Sequence, residues 1–191
     1  MRKQCLWLAL AVSFTMFAAA PAPAADAYAL DTAHAGVTFK ISHVGISWTY
    51  GRFNELNGDF TIDTADPSKC SFTMNIKSAS IDTGNQKRDE HLRSPDFFNV
   101  KQYPVITFKS TAVKPAKDGY EVTGDFTMHG VTKSITFPMT GGKTAEFPKG
   151  VQRTGFTADL VLKRADYGID KFAGAVGDDI HISVSFEGTK K

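Results

Sequence analysis

The sequence has few cysteines and almost no surplus of charge, and both shortages exclude classes of protein. Its 191 residues include two cysteines, with 22 basic residues against 20 acidic ones. Two thiols are too few for a disulfide-rich secreted scaffold. Since no basic block is present, the sequence predicts no nucleic-acid partner. It also has no HExxH motif, no CxxC motif and no closely spaced histidine pair. We therefore expect no metal site and no cofactor.

Long apolar runs are missing after the first two dozen residues, so no transmembrane segment is predicted in the rest of the chain. At the start, two basic residues precede an uncharged apolar run from Leu6 to Ala20, and small residues follow at Ala22 and Ala24. This order is typical of a secretory signal peptide, because the run is too short to span a bilayer comfortably. We predict a signal peptide at residues 1–24, cleaved after Ala24, and a periplasmic location.

Removal of that segment leaves residues 25–191 as a neutral chain with a single thiol. The segment contains two basic residues and no acid, so the remainder has 20 residues of each sign. Cys70 alone cannot form an internal disulfide, and it opens an alternating apolar set in which a small buried residue fits. Linkers, repeats and low-complexity stretches are absent from this part. We therefore predict one domain over residues 25–191.

Apolar and polar residues alternate along most of this domain, as in antiparallel strands with one buried face and one wet face. The pattern recurs in Val37–Ile41, Leu56–Ile62, Phe72–Ile76, Ile106–Phe108, Leu160–Leu162 and Ile180–Phe186. The exception is a polar helical segment near residues 85–98, with capping-box spacing at Thr83 and Gln86 and an end at Ser94-Pro95. About eight strands with one apolar face must close on themselves or stack as two sheets.

One predicted hairpin tests the alternation internally. A two-residue turn at His129-Gly130 would place Met128 opposite Val131. Counting away from that pair, apolar residues face apolar ones and polar residues face polar ones, except where Phe126 faces Lys133. We therefore expect this register in the sheet.

Very small residues interrupt the inward-facing sets at Ala35, Gly58, Gly124 and Ala158. An eight-stranded barrel is either just filled by side chains or just wide enough for one small ligand, so small wall residues favour a cavity. Phe rings that reach across would instead fill the same space. The residues alone leave a hollow core and a solid core both open. A hollow core would have a hydrocarbon wall, which suits a lipid tail.

Five segments of the domain carry the pattern of a known family. They are YALDTAHAGVTFKISHVGISWTYGRF, SIDTGNQKRDEHLRSPDFFNVKQYPVITFKS, GDFTMHGVTKSITF, RADYGI and DDIHISVSFEG. In this order they resemble the YceI-like family of periplasmic lipid-binding proteins. The resemblance implies an all-β, eight-stranded antiparallel lipocalin-like β-barrel that binds a long apolar ligand, typically an isoprenoid chain, and is not an enzyme. The ligand stays open among a polyisoprenoid, an isoprenoid quinone and a fatty-acid-like lipid.

Strand parity assigns a cavity lining within such a barrel, and a second group of ligand contacts lies near its entrance. The predicted lining is Phe39, Ile41, Phe60, Phe72, Met74, Phe108, Phe126, Met128, Ile135 and Phe137. The predicted entrance residues are His43, Trp48, Phe97 and Phe98. We expect Arg88 and Asp89 to fasten the helical segment to the barrel. Contact of His43, Arg88 or His91 with a ligand head group stays open, and no catalytic residue is assigned.

Three functions are compatible with these residues. The favoured one is a periplasmic carrier that shelters an apolar lipid. A second is an enzyme that acts on a lipid or quinone at the barrel mouth with His43 or His91, although no nucleophile motif accompanies them. A third is an accessory module for a membrane redox partner. A homodimer is also compatible with the pattern, but no exposed hydrophobic stripe demands it.

Overall fold

The computed structural model describes residues 25–191; the predicted signal peptide lies outside the described residues. The strands are β1 (Asp26–Leu30), β2 (Gly36–His43), β3 (Ser47–Phe53), β4 (Leu56–Ile62), β5 (Ser71–Lys77), β6 (Ile81–Asp82), β7 (Val105–Ala116), β8 (Gly119–Met128), β9 (Val131–Glu146), β10 (Gln152–Lys163) and β11 (Val176–Lys190). The helix α1 (Gln86–Arg93) lies between β6 and β7. Within residues 25–191, no helix is long and apolar enough to cross a membrane.

Eight strand positions close the sheet into an antiparallel barrel. Hydrogen bonding follows the order β1-β4-β5-β7-β8-β9-β10-β11, and β11 pairs with β1 to complete the ring. The strands β2, β3 and β6 continue the positions of β1, β4 and β5 toward one end, where β2 pairs with β11 and β3 with both β2 and β6. The predicted eight-stranded antiparallel barrel is therefore confirmed, and the alternative of two stacked sheets is excluded.

The hairpin of β8 and β9 has the register that the sequence predicts. Met128 pairs with Val131, and Phe126 pairs with Lys133. Both turn residues, His129 and Gly130, have positive φ angles of 52° and 77°, as a tight hairpin turn of this length requires. Lys133 is the polar residue opposite Phe126. Its side chain reaches the end of the barrel, where its ammonium lies 3.2 Å from a carboxylate oxygen of Asp166.

Aromatic rings close the barrel at the end opposite α1. Around the Phe60 ring, the centroids of Tyr28, Phe72, Phe156 and Phe186 lie at 5.0, 5.9, 5.7 and 5.5 Å. We call these five residues the closing cluster. All five are buried, and each aromatic pair contributes about 0.5–1.5 kcal/mol beyond the burial of its surface. Entry into the barrel from this end is therefore blocked.

The segment around α1 covers the other end of the barrel, which we call the mouth. The helix lies inside the predicted range and ends at Ser94 as expected, but its N-cap is Asn85, which accepts a hydrogen bond from the Arg88 backbone N–H at 3.1 Å. Thr83 is instead an anchor for the helix. The buried carboxylate of Asp89 accepts from the Thr83 backbone N–H at 2.9 Å, and the Arg88 side chain donates to the Thr83 carbonyl at 2.7 Å. Arg88 and Asp89 thus fasten α1 to the chain directly after β6.

Candidate ligand cavity

A cavity of about 400 Å³ lies inside the barrel between the closing cluster and α1. Its wall is mostly hydrocarbon and aromatic ring. Pockets for small molecules occupy roughly 300–1,000 Å³ and are predominantly apolar, with few polar groups. The core of the barrel is therefore hollow and not filled by side chains, a choice that the sequence alone leaves open.

Thirteen of the fourteen predicted ligand contacts line this cavity. They are Phe39, Ile41, His43, Phe60, Phe72, Met74, Phe97, Phe98, Phe108, Phe126, Met128, Ile135 and Phe137. Ten of them come from the inward-facing positions of strands. His43 ends β2, while Phe97 and Phe98 follow α1 and lie over the mouth.

Trp48, which the sequence predicts near the entrance, does not line the cavity and lies on the outer face of the β2–β3 hairpin; its contact with a ligand stays a prediction. It pairs with Ser42 across β2 and β3, and its side chain points away from the barrel interior. The indole ring meets the His181 ring edge-on, with centroids 5.1 Å apart, and the Lys40 ammonium lies 4.8 Å from its centroid. Side chains alternate along β3, so the inward position belongs to its neighbour Thr49, which lines the cavity.

Wall glycines make room for phenylalanine rings at the edge of the lumen. A Cβ atom built on Gly51 would lie 2.4 Å from Cζ of Phe39, and one on Gly124 would lie 2.6 Å from Cε2 of Phe108. From the sequence, the small residue Gly124 is expected to leave a gap in the wall that adds to the cavity. In the structure the Phe108 ring occupies that gap. Since the rings rest against the wall, the centre of the barrel stays open.

Further lining residues were not among the predicted set. They include Val37, Phe53, Ile76, Ile106, Met139, Leu160, Ile180, Ile182, Val184 and Phe186 on strands, and Leu92, Ile169, Phe172 and Val176 near the mouth. Strand parity could have identified the first group, because each member has the inward position of an alternating segment. Phe172 lies in the irregular connection between β10 and β11, where no periodic signal marks it.

Polar side chains gather where the cavity opens. His43, Arg88 and His91 all line this part of the wall. The Nε2 atom of His91 lies 2.9 Å from a carboxylate oxygen of Asp96. This hydrogen bond and the nearby Lys171 ammonium hold the pKa of Asp96 below its ordinary range. The partner of His91 is thus Asp96 and not Asp89, which points to Thr83. The mouth can offer hydrogen bonds to a ligand head group while the lumen remains apolar.

A buried arginine holds the connection between β10 and β11 in place. Arg164 lines the cavity, and its guanidinium donates to the carbonyls of Gly177, Ile169, Lys171 and Val176 at 2.8, 3.0, 2.7 and 3.0 Å. Burial lowers the pKa of this guanidinium, but the four carbonyls satisfy most of its donors. The sequence does not single out this role of Arg164, since its partners are backbone atoms that no side-chain pattern reveals.

The fold and cavity define a class of protein, a hollow antiparallel β-barrel with an apolar lumen and one polar mouth. Within this class the chain belongs to the YceI-like domain family, whose family model matches residues 28–188. The resemblance seen in the sequence is thereby confirmed.

Three known proteins illustrate how far the similarity extends. The UPF0312 protein of Pseudomonas aeruginosa (strain LESB58) is 40% identical over 185 residues, which are 96% of this chain and 96% of that protein. The crystal structure of Burkholderia cenocepacia BcnA has a TM-score of 0.75 at 26% identity and covers 83% of this chain and 98% of its own. A polyisoprenoid binding domain from Saccharophagus degradans shares the fold, with a TM-score of 0.66 at 21% identity and coverage of 87% and 99%.

Proposed function

We propose that this chain is a carrier that holds a long apolar ligand inside its barrel. The observation that supports this function is the apolar cavity of about 400 Å³. Each buried methylene contributes roughly 0.8 kcal/mol, so a dozen buried carbons contribute about 10 kcal/mol before the cost of ordering the ligand. Retention at micromolar concentrations needs about 8 kcal/mol. Burial of the lipid tail is therefore the largest favourable contribution to binding.

The proposed ligand has one polar head and one long tail, as an isoprenoid quinone, a polyisoprenoid lipid or a fatty-acid-like lipid has. The tail lies in the lumen among residues such as Phe39 and Phe108, and the head group meets His43, Arg88 or His91 at the mouth. Polyisoprenoid binding is the property for which the Saccharophagus degradans domain is named. The shared fold makes an isoprenoid the first ligand to test.

The proposed place of action is the periplasm. The first 24 residues have a basic start, an uncharged apolar run and small residues at the end, which is the order of a signal peptide. An apolar molecule that crosses this aqueous compartment needs a shelter from water, which a barrel with a hydrocarbon lumen provides.

Mass spectrometry of the protein purified from bacterial periplasm tests the proposal. Under native conditions we expect a one-to-one adduct of lipid mass, and denaturation should release it unchanged. Absence of an adduct, combined with failure to take up long-chain quinones and fatty acids, would contradict the carrier.

The same measurement separates the carrier from the enzyme at the mouth. An enzyme would return the added lipid with an altered mass, and His43→Ala or His91→Ala would abolish that conversion. A carrier returns the lipid intact. In that case both variants still hold the tail and release it faster than the parent protein does.

A further inference from the structure

Apolar side chains that face water lie on one side of the mouth of the cavity. Among the described residues, eight large apolar or aromatic side chains are exposed, and five of them cluster there: Val44, Ile46, Trp48, Tyr50 and Phe172. The first four belong to the hairpin of β2 and β3, and Ile46 at its tip is 85% exposed. We call these five residues the apolar rim.

The apolar rim is continuous with the cavity wall. The Val44 backbone N–H donates to the Ala175 carbonyl at 2.6 Å, which joins the hairpin to the connection that contains Phe172. Phe172 is half exposed and also lines the cavity. Its ring centroid lies 5.9 Å from that of His91 and 6.2 Å from that of Phe97. A surface bound to the rim therefore lies directly against the mouth.

Two rim residues adopt a backbone conformation that their side chains disfavour. Val44 has a φ angle of 46° and Phe172 one of 58°, in the left-handed region where Gly and Asn are favoured and where a branched or bulky residue costs about 1–3 kcal/mol. The turn at Val44-Gly45 is of the kind whose first position suits Asn. At Val44 burial does not compensate this cost, because the side chain is about half exposed and does not line the cavity. A residue whose backbone conformation is unfavourable for its side chain, with no packing that offsets the cost, indicates a functional surface.

The charge of the hairpin suits an anionic surface. Residues 32–54, which include the whole hairpin, contain no Asp or Glu, while Lys40 and Arg52 lie on its outer face. Arg52 is partly compensated by Asp82 at 3.2 Å. Lys40 has no acidic partner within 4.0 Å among residues 25–191. The outer face of the hairpin itself is therefore basic.

Cations also accompany the aromatic rings of the rim. The ammonium of Lys40 lies 4.8 Å from the Trp48 ring centroid, and that of Lys171 lies 5.7 Å from the Phe172 ring centroid. At a lipid surface, aromatic rings occupy the boundary between head groups and acyl chains, and lysines extend to the head groups. Both pairs have this composition, which favours a lipid surface over a purely apolar protein groove.

We propose that the apolar rim docks on the surface of a bilayer that contains anionic lipid. Val44, Ile46 and Phe172 enter the boundary between head groups and acyl chains, and Lys40 contacts a lipid phosphate. Docking in this orientation places the mouth against the membrane, so an apolar ligand passes between bilayer and lumen without crossing water. Docking does not depend on whether the cavity holds a ligand. The exchange of ligand with the bilayer rests on the proposed carrier function.

Vesicle binding by residues 25–191, which contain every strand of the barrel, tests the docking. Trp48 is the sole tryptophan of this segment, so its emission reports contact with lipid. With vesicles of phosphatidylethanolamine and phosphatidylglycerol we expect co-sedimentation and a shift of the emission to shorter wavelength. Vesicles of phosphatidylcholine alone should bind more weakly, and salt should weaken the binding to anionic vesicles.

A double variant, Val44→Asn with Ile46→Ser, removes the apolar tip without harming the turn, because Asn suits the left-handed conformation at position 44. It should bind anionic vesicles at least about tenfold more weakly, since two apolar side chains no longer leave water. The matched control is Phe147→Ser, which removes a side chain that is 73% exposed at the opposite end of the barrel. That control should bind as the parent protein does.

Several outcomes would overturn the docking proposal. One is that the double variant binds vesicles as tightly as the parent protein does. A second is that Phe147→Ser weakens binding as much as the double variant does. The third is that the parent protein binds none of the vesicles. If the parent protein sediments as a dimer and the double variant as a monomer, the surface that covers the apolar rim is a second copy of this chain. Neither Val44 nor Ile46 lines the cavity, so the double variant should still carry its lipid adduct. Failure of docking and failure of the carrier are thus distinguishable.

Discussion

The ring of Phe39 rests against Gly51, its partner across β2 and β3. A Cβ atom at Gly51 would lie 2.4 Å from Cζ of Phe39, closer than any real contact. The missing side chain therefore gives the ring a place at the wall. This relationship explains how a barrel rich in phenylalanine keeps an open centre.

Gly51→Ala should push the Phe39 ring into the lumen. Overpacking of this kind costs about 1–3 kcal/mol of folding stability, and the displaced ring should also reduce lipid uptake. Urea unfolding and native mass spectrometry measure the two effects. The control is Gly36→Ala on β2, where an added Cβ meets nothing within 4 Å. The double variant Gly51→Ala with Phe39→Leu should regain part of the folding stability and part of the lipid uptake. If Gly51→Ala alone is as stable and takes up as much lipid as the parent protein, this role of the glycine is contradicted.

The sequence predicts best where two local rules agree. In β8 and β9 a two-residue turn fixes the partner of every residue, and the alternation fixes which face each residue occupies. The register from Met128 and Val131 onward is therefore correct, including the mismatch at Phe126. The same parity places ten lining residues inside the barrel, because one slip of register would turn every apolar side chain outward.

Features that depend on three-dimensional geometry could not be predicted in this way. The outward face of Trp48 depends on the pairing of β3, whose turn contains Val44 in a conformation that valine rarely adopts. The choice between a hollow core and a solid one depends on whether a ring such as Phe39 rests against the wall or crosses the lumen. The bonds of Arg164 end on backbone carbonyls, and these leave no trace in a sequence pattern.

The buried carboxylate of Asp89 should control how firmly α1 covers the mouth. It accepts a hydrogen bond from the Thr83 backbone N–H, and Asp89→Ala would leave that donor unpaired at a cost of about 1–3 kcal/mol. We expect faster hydrogen exchange across residues 83–98 and unchanged exchange around the closing cluster. Glu90→Ala is the control, because Glu90 is exposed and its side chain bonds only to Gln86. Equal exchange in both variants would show that Asp89 does not hold the helix.

An ion pair between Asp31 and Arg153 should make stability depend on pH in the acid range. The Arg153 guanidinium and, to a lesser extent, His34 hold the pKa of Asp31 well below its ordinary value of 3.8. As pH falls, the unfolded state takes up a proton at this position before the folded state does, so the stabilisation is present above about pH 5 and declines below it.

The difference in urea midpoint between the parent protein and Asp31→Asn should therefore be largest at neutral pH and shrink by about pH 3. Arg153→Gln should remove the same pH-dependent part. A difference that stays constant across this range would rule out the ion pair as its source.

The thiol of Cys70 should be inert in the folded protein. The side chain is 6% exposed, and burial raises the pKa of the thiol above its ordinary value. Since the thiolate is the reactive form, residues 25–191 should react with an aromatic disulfide reagent at pH 8 at least about a hundredfold faster in urea than in buffer. Ser71 is the exposed neighbour of Cys70. A Cys70→Ala, Ser71→Cys variant should react quickly while folded, and an equally fast reaction of native Cys70 would contradict its burial.

The most direct test of the carrier uses two neighbours on β10 that face opposite ways. Leu160 lines the cavity, whereas Val161 is 52% exposed on the outer wall. Each is replaced by Trp, folding is verified by circular dichroism, and uptake of a long-chain isoprenoid quinone is measured by native mass spectrometry. If the ligand occupies the lumen, Leu160→Trp loses the adduct and Val161→Trp keeps it. Equal loading of the two variants would contradict a ligand inside the barrel.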